Sequence, residues 1–373
     1  VGFFSSFMVS AFLPPKQRRI IDRFWSLYWH SIYTIYFILS FFLLFAAFSD
    51  RSVEITYPTP KQCAFNAQIT CHDIEQLNVT TGAIDRFVLD DLTLEPSSLA
   101  WSPDGLHLGF LSAHHGEGFD LFVFDADMQA ITTFSIGDEV GFFVWLDETT
   151  ILATQRTSAR PAYHDLYRLQ LEDGTQTLLL QTGDILSPLR LSRGGRTVAF
   201  RTSDGIMFID TTSSEIVGLA DGADFAWSRS DADTAFLLSE GNDLRTEIST
   251  LTLPTMTVNR LADIDTALLR LELLEDDTGM AGIRYLQGVS EFIAVQFDTS
   301  IPLAPLSVVP IASIRDHFTG SSLSPLGDLL AYIAYADQQE LSICIVDIAL
   351  DAQTCYPDTM PDLNGVPAWR PRL

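Results

Sequence analysis

The sequence predicts an all-β fold: a seven-bladed β-propeller preceded by one transmembrane α-helix. Three observations lead there. A Trp-Ser-Pro-Asp-Gly turn between short apolar strands recurs in imperfect copies along the chain. The final strand-like run stands alone, while three spare runs precede the first complete unit. Residues 24–49 contain no Asp, Glu, Lys or Arg. Six or eight blades also fit, because the fifth unit is weak.

The turn explains itself chemically. Trp101, Ser102, Pro103, Asp104 and Gly105 stand between Ser98-Leu99-Ala100 and Leu106-His107-Leu108-Gly109-Phe110-Leu111. Pro103 presets φ, Asp104 can bond its own backbone, and Gly105 accepts the positive φ that closes the turn. Two strands joined this way make a hairpin.

Composition bounds the rest. The chain has 373 residues, 47% of them hydrophobic, enough for a substantial core. The formal net charge of −26 argues against a nucleic-acid partner, whose phosphates require Lys and Arg. Four cysteines form two close-spaced pairs, Cys63 with Cys71 and Cys344 with Cys355. In an oxidising compartment such pairs read as disulfides; otherwise they are buried thiols.

The first segment, residues 1–23, joins an apolar run (1–13) to Lys16, Arg18, Arg19 and Arg23, opposed only by Asp22. The apolar run is too short to span a bilayer and suits an interface or a protein contact. Residues 24–49 follow as a helix apolar on every side, the pattern of an uncleaved transmembrane anchor. Trp25, Tyr28 and Trp29 sit at its start, at headgroup level. Basic residues before the span place the N-terminus in the cytoplasm and the remainder on the periplasmic or extracellular side. Residues 50–61, with Pro58 and Pro60, read as a short linker.

From residue 62 to 373 the units follow at roughly 36–49 residues, the length of a four-stranded propeller blade. The first unit takes strands at 98–102, 106–112, 119–125 and 130–135. The second begins with Phe142–Trp145, the third at Leu189–Leu191, the fourth at Phe225–Trp227. A degenerate fifth starts at Leu268 and shows three strands; the sixth opens on Leu323-Ser324-Pro325-Leu326-Gly327. Residues 366–371 repeat only a first strand. A lone strand leaves a sheet edge unpaired. The expectation is that it joins the runs within 62–91, completing one blade and closing the ring.

The motif Trp-Ser-Pro-Asp-Gly-x-x-Leu-x-Phe-x-Ser resembles the repeat of TolB-like, WD-repeat-like propellers of bacterial envelopes, across residues 62–373. That resemblance implies the fold and says little about function. The separate α/β domain of TolB has no counterpart here, so its partners are not carried over. Propeller-bearing serine peptidases use similar repeats, but no Gly-x-Ser-x-Gly elbow occurs. In the propeller frame Cys344 and Cys355 fall on neighbouring strands, and Cys63 and Cys71 flank a hairpin of the closing blade. Both pairs then suit disulfide geometry.

Signs of chemistry are sparse. His114-His115-Gly116-Glu117 lies in a loop, but adjacent residues do not share a strand face. Asp125 with Asp127, and Asp231 with Asp233, lack the remaining ligands of a calcium loop. No zinc-protease, phosphate-loop or dinucleotide motif appears. No catalytic, cofactor or metal residue is assigned. The expected function is therefore a non-catalytic, membrane-anchored accessory or scaffold subunit of a larger bacterial membrane complex. Electron-transfer complexes of respiration or photosynthesis are candidate hosts. Its partners would be other membrane subunits and lipid through residues 1–49, and proteins through the propeller. The alternatives are a propeller hydrolase or lyase with its site at the central channel, and an envelope sensor or ligand-binding receptor.

Overall fold

Strands alternate with tight turns from end to end. The computed structural model describes residues 53–371 except 63–69, 88–96, 114–117, 128, 137–138, 158–159, 182, 241–244, 265–267, 274–278, 287–288, 297–306, 315–320, 337–339, 360 and 362–365. The segment 1–23, the expected span 24–49, Cys63, His114 and His115 lie outside these residues, and of Cys71 only the backbone is described. No helix occurs among the described residues, so none there is long and apolar enough to cross a membrane.

The strands are β1 (Glu54–Gln62), β2 (Thr70–Asn78) and β3 (Ile84–Phe87), then β4 (Ser97–Trp101), β5 (His107–Ala113), β6 (Phe119–Asp125) and β7 (Ala130–Phe134). The second unit holds β8 (Glu139–Trp145), β9 (Thr150–Thr157), β10 (Arg160–Gln170) and β11 (Gln176–Gln181). The third holds β12 (Arg190–Leu191), β13 (Thr197–Thr202), β14 (Gly205–Asp210) and β15 (Ile216–Ala220). The fourth holds β16 (Asp224–Trp227), β17 (Thr234–Glu240), β18 (Thr246–Thr252) and β19 (Thr257–Ile264). The fifth holds β20 (Leu268–Leu273), β21 (Gly279–Leu286), β22 (Val289–Gln296) and β23 (Ser307–Ile314). The sixth holds β24 (Ser321–Leu323), β25 (Leu329–Ala336), β26 (Glu340–Asp347) and β27 (Ala352–Tyr356), and β28 (Ala368–Trp369) follows.

Among the described residues these strands pair into seven four-stranded antiparallel sheets. Six are consecutive in sequence; the seventh has the order β28-β1-β2-β3. Fourth strands such as β7, β15 and β19 are largely exposed, whereas first strands meet the first strands of neighbouring sheets. First strands are therefore innermost and fourth strands form the rim. Apolar clusters fill every gap between successive sheets. Phe143, Trp145 and Ile151 of the second sheet pack on Leu111, Leu121 and Val123 of the first. Ile74, Phe87 and Ala368 of the closing sheet pack on Leu99, Trp101, Phe110 and Phe124 of the first, which completes the circle. Burying both faces of each sheet is what favours a ring over an open stack.

Two expectations require correction. Residues 54–61 are strand, not linker: β1 starts at Glu54. The final strand accordingly pairs with Ile55 and Thr56, ahead of the 62–91 stretch expected to receive it. The prolines concealed this. The Glu54 carbonyl accepts the Arg370 N–H at 3.0 Å, while the Val53 carbonyl accepts Val79 N–H at 2.7 Å. Even-numbered backbone groups of β1 therefore face β28, whose pairing ends at Thr56. Pro58 and Pro60 point their missing donors at an edge that needs none, the position where a strand tolerates proline. The fifth unit likewise has a fourth strand, β23, that its sequence hid behind Pro310, on a rim strand next to a register shift.

Candidate functional site

The turns between first and second strands organise one face of the ring. Ser102 is fully buried; its Oγ accepts the His107 N–H at 2.9 Å and its carbonyl accepts the Gly105 N–H at 2.9 Å. The Ser102 hydroxyl also donates to Asp104, whose Oδ1 accepts the Leu106 N–H at 3.0 Å. Ser192, Ser228 and Ser324 hold the equivalent turns, each accepting a backbone N–H two to five residues on. Gly105 has φ +68°, and a Cβ there would lie 2.8 Å from the Pro371 carbonyl oxygen. The conformation and the close approach both demand glycine.

Trp101 ends the first strand of its sheet and reaches the sheet before it. Its indole N–H donates to Thr56 Oγ1 at 2.9 Å. The same tie recurs: Trp145 to the Ala100 carbonyl at 2.9 Å, Trp227 to Arg190 at 3.0 Å and Trp369 to Ser322 at 3.0 Å. A buried indole needs an acceptor, and here that need fixes the spacing between blades.

At the closing junction the Arg370 guanidinium lies 4.6 Å from the centre of the Trp101 ring. It donates to the Gly105 carbonyl at 2.9 Å and to Glu54 Oε2 at 3.0 Å. One cation thus joins β1, the last strand and the first turn. Deeper in the same sheet Tyr57 donates to Glu75 Oε2 at 2.9 Å, and Arg86 Nε donates to Glu75 Oε1 at 2.9 Å. Burial, then the Glu75 charge, pushes the Tyr57 phenol well above its ordinary range, so it stays a donor.

Cys344 and Cys355 face each other across β26 and β27, with Cα atoms 4.0 Å apart, and form a disulfide. The Cys344 side chain is buried against the fifth sheet. The expected Cys63–Cys71 bond includes a residue outside those described.

The opposite face carries the titratable cluster that single motifs did not reveal. Glu139 opens β8, Arg156 ends β9 and His164 begins the paired part of β10. Arg156 lies 3.5 Å from Glu139. His164 packs on Gly141, where a Cβ would stand 3.0 Å from its Cε1, and its buried Nδ1 has no hydrogen-bond partner. Burial first, then the Arg156 charge, lowers the His164 pKa; Glu139, Asp184 and Asp165 act in the other direction. The imidazole is neutral at neutral pH. In the third sheet, Arg201, Asp204 and Asp221 line an open hollow, with Arg201 donating to the Ala223 carbonyl at 2.9 Å.

Among the described residues no group of three or more His, Cys, Asp or Glu is placed to hold a metal ion. Asp125 Oδ1 accepts the Asp127 N–H at 2.9 Å and Asp231 Oδ1 accepts the Asp233 N–H at 3.0 Å, so both act as turn acceptors.

Large apolar side chains stand in solvent on the rim strands of three consecutive sheets. They are Leu178 on β11, Ile216 and Leu219 on β15 and Val258 on β19, with Ile216 54% and Val258 53% exposed.

A ring of radial four-stranded sheets, tied at four of its junctions by an indole, decides the architecture. The chain is a β-propeller. Solved structures of that fold resemble it. TolB from Acinetobacter baumannii superposes with a TM-score of 0.51 at 14% identity, over 86% of this chain and 83% of that one. A putative 6-phosphogluconolactonase from Bacteroides uniformis gives 0.57 at 13% identity, over 85% and 99%. An oligogalacturonate lyase in complex with manganese gives 0.54 at 11% identity, over 82% and 85%. No protein-family model and no curated protein matches the sequence. At such identities the likeness concerns the fold alone, and propellers of this kind include TolB as well as enzymes.

Proposed function

We propose that this chain is a membrane-anchored, seven-bladed propeller serving as a non-catalytic accessory or scaffold subunit of a larger bacterial membrane complex. Respiratory and photosynthetic electron-transfer complexes are the hosts we favour. The observation that carries the reading is the rim: Leu178, Ile216, Leu219 and Val258 hold apolar surface on three adjacent blades. Exposed apolar side chains on the rims of neighbouring blades are the kind of surface that a protein partner covers. The charge-free stretch 24–49 supports a single-pass anchor with a cytoplasmic N-terminus. The Cys344–Cys355 disulfide supports a propeller on the periplasmic or extracellular side, where such bonds persist. Lipid and neighbouring membrane subunits would meet residues 1–49, and protein partners the propeller rim.

Purification of the tagged chain from its native membranes in mild detergent tests this. Stoichiometric partner subunits are expected, and Ile216→Asp with Val258→Asp should release them. A monodisperse lone chain sinks the reading. A propeller enzyme is the second reading, favoured by the neutral, half-buried His164 beside Arg156 and Glu139.

A further inference from the structure

Turn aspartates in this propeller commonly serve their own loops. Asp104, Asp147, Asp173, Asp210 and Asp231 each accept the backbone N–H two residues on. That bond is the ordinary work of an aspartate in a turn. Asp204 and Asp221 differ. In the turn between β13 and β14 the hydroxyl of Thr202 takes over: its Oγ1 accepts the Asp204 N–H at 3.2 Å and donates to the Gly205 carbonyl at 3.0 Å. Asp221 stands in the connection from β15 to β16. Both residues are exposed, and among the described residues neither carboxylate accepts a hydrogen bond or meets a cation.

These two aspartates share a hollow of about 350 Å³ with Arg201 and Leu186. Small-molecule sites occupy roughly 300–1,000 Å³. The backbone of Arg201 is gripped by the connection into the third sheet: its N–H donates to Ser187 Oγ at 2.9 Å and its carbonyl accepts the Leu186 N–H at 2.8 Å. The guanidinium uses one N–H on the Ala223 carbonyl, at 2.9 Å, and among the described residues the rest of its fork is uncommitted. Leu186, 48% exposed, adds an apolar wall. Elsewhere arginine meets carboxylate directly, as Arg190 does Asp224 and Arg370 does Glu54. Here three charges line one concavity without pairing with each other. Two carboxylates against one guanidinium leave the lining net negative, and the chain's charge of −26 draws cations toward it. We propose that the hollow binds a basic amino acid. Its carboxylate meets the Arg201 fork, its two cationic groups meet Asp204 and Asp221, and its methylene stem lies along Leu186. Guanidinium suits a carboxylate by its paired donors, and a methylene stem covers apolar surface while its head stays polar. The site requires neither an anchor nor a rim partner, so it stands or falls apart from the function proposed above.

Isothermal titration of the full chain in mild detergent with lysine tests this, beside norleucine, which lacks the terminal ammonium, cadaverine, which lacks the carboxylate, and glutamate. Lysine should bind with one site per chain, and norleucine and cadaverine each about tenfold more weakly, the loss expected for one charge-assisted contact. Asp204→Asn and Asp221→Asn should each weaken lysine by a similar factor, and Arg201→Gln should remove the preference for lysine over cadaverine. The two aspartates are exposed and uncommitted, so their amides leave the fold intact, which an unchanged urea midpoint verifies. No heat with lysine up to about 10 mM, where a millimolar affinity would register, overturns the site. Lysine binding that both Asn variants leave unchanged overturns it too, since the ligand then sits elsewhere. Cadaverine binding as tightly as lysine, or glutamate more tightly, overturns the assignment of a basic amino acid.

Discussion

Trp101 donates its indole N–H to Thr56 Oγ1 across the seam where the ring closes, at 2.9 Å. Elsewhere the same indole tie ends on a backbone carbonyl, which no substitution can delete. At the seam it ends on a side chain, so this one tie can be cut at its acceptor. Thr56 is fully buried and Trp101 nearly so. Thr56→Val keeps the shape and strands a buried N–H, at a cost of about 1–3 kcal/mol. Chemical denaturation should show that loss in the wild-type background and little of it in Trp101→Phe. Additive losses in the double variant would show that the two side chains are not coupled.

Gly105 and Gly174 have nearly the same φ, +68° and +69°, in different surroundings. A Cβ at Gly174 meets nothing within 4 Å, whereas one at Gly105 meets a carbonyl oxygen of the last strand. Gly174→Ala therefore isolates the backbone penalty, about 1–2 kcal/mol. Gly105→Ala adds a clash at the closing seam and should cost at least about 1 kcal/mol more. Equal unfolding midpoints for the two variants would place the C-terminal strand away from this turn.

The Cys344–Cys355 bond closes a short loop between paired strands, with a sequence separation of 11. A loop of that length contributes about 2–3 kcal/mol through the unfolded chain. Reduction of the native protein should lower its unfolding midpoint accordingly. Cys344→Ala with Cys355→Ala should start lower and respond less to reductant. An unchanged midpoint on complete reduction would contradict a stabilising role for the bond.

Much of this fold was legible because its signals are local. A serine turn followed by alternating apolar residues is a hairpin wherever it occurs, and a tryptophan ends the first strand of four of the seven sheets. The failures share a physical cause. Pro58 and Pro60 read as part of a linker, yet both sit on a strand edge that makes no demand on their nitrogens. Whether an edge is free depends on the neighbouring sheet, which a linear reading does not supply. The junction at Arg370 was hidden for a similar reason: it contacts Gly105 across 265 positions. The His164 cluster gathers Glu139, Arg156 and Asp184 from separate strands and a connection at irregular spacing. Only the folded ring brings those charges within range of one imidazole.

His164 makes stability depend on pH in a stated direction. Burial, and secondarily Arg156, hold its folded pKa below the ordinary value, against the opposing pull of Glu139, Asp184 and Asp165. The unfolded chain then binds a proton that the folded chain refuses as pH falls below about 6.5. The stabilisation is complete above that pH and declines beneath it, toward the lowered folded pKa. His164→Gln removes this proton from the balance while leaving the carboxylates that both proteins share. Urea midpoints measured at pH 7.5 and 5.5 should fall further for the wild type than for the variant. An equal fall in both would mean that His164 takes up its proton as readily folded as unfolded, and that its packing on Gly141 does not exclude water from the ring.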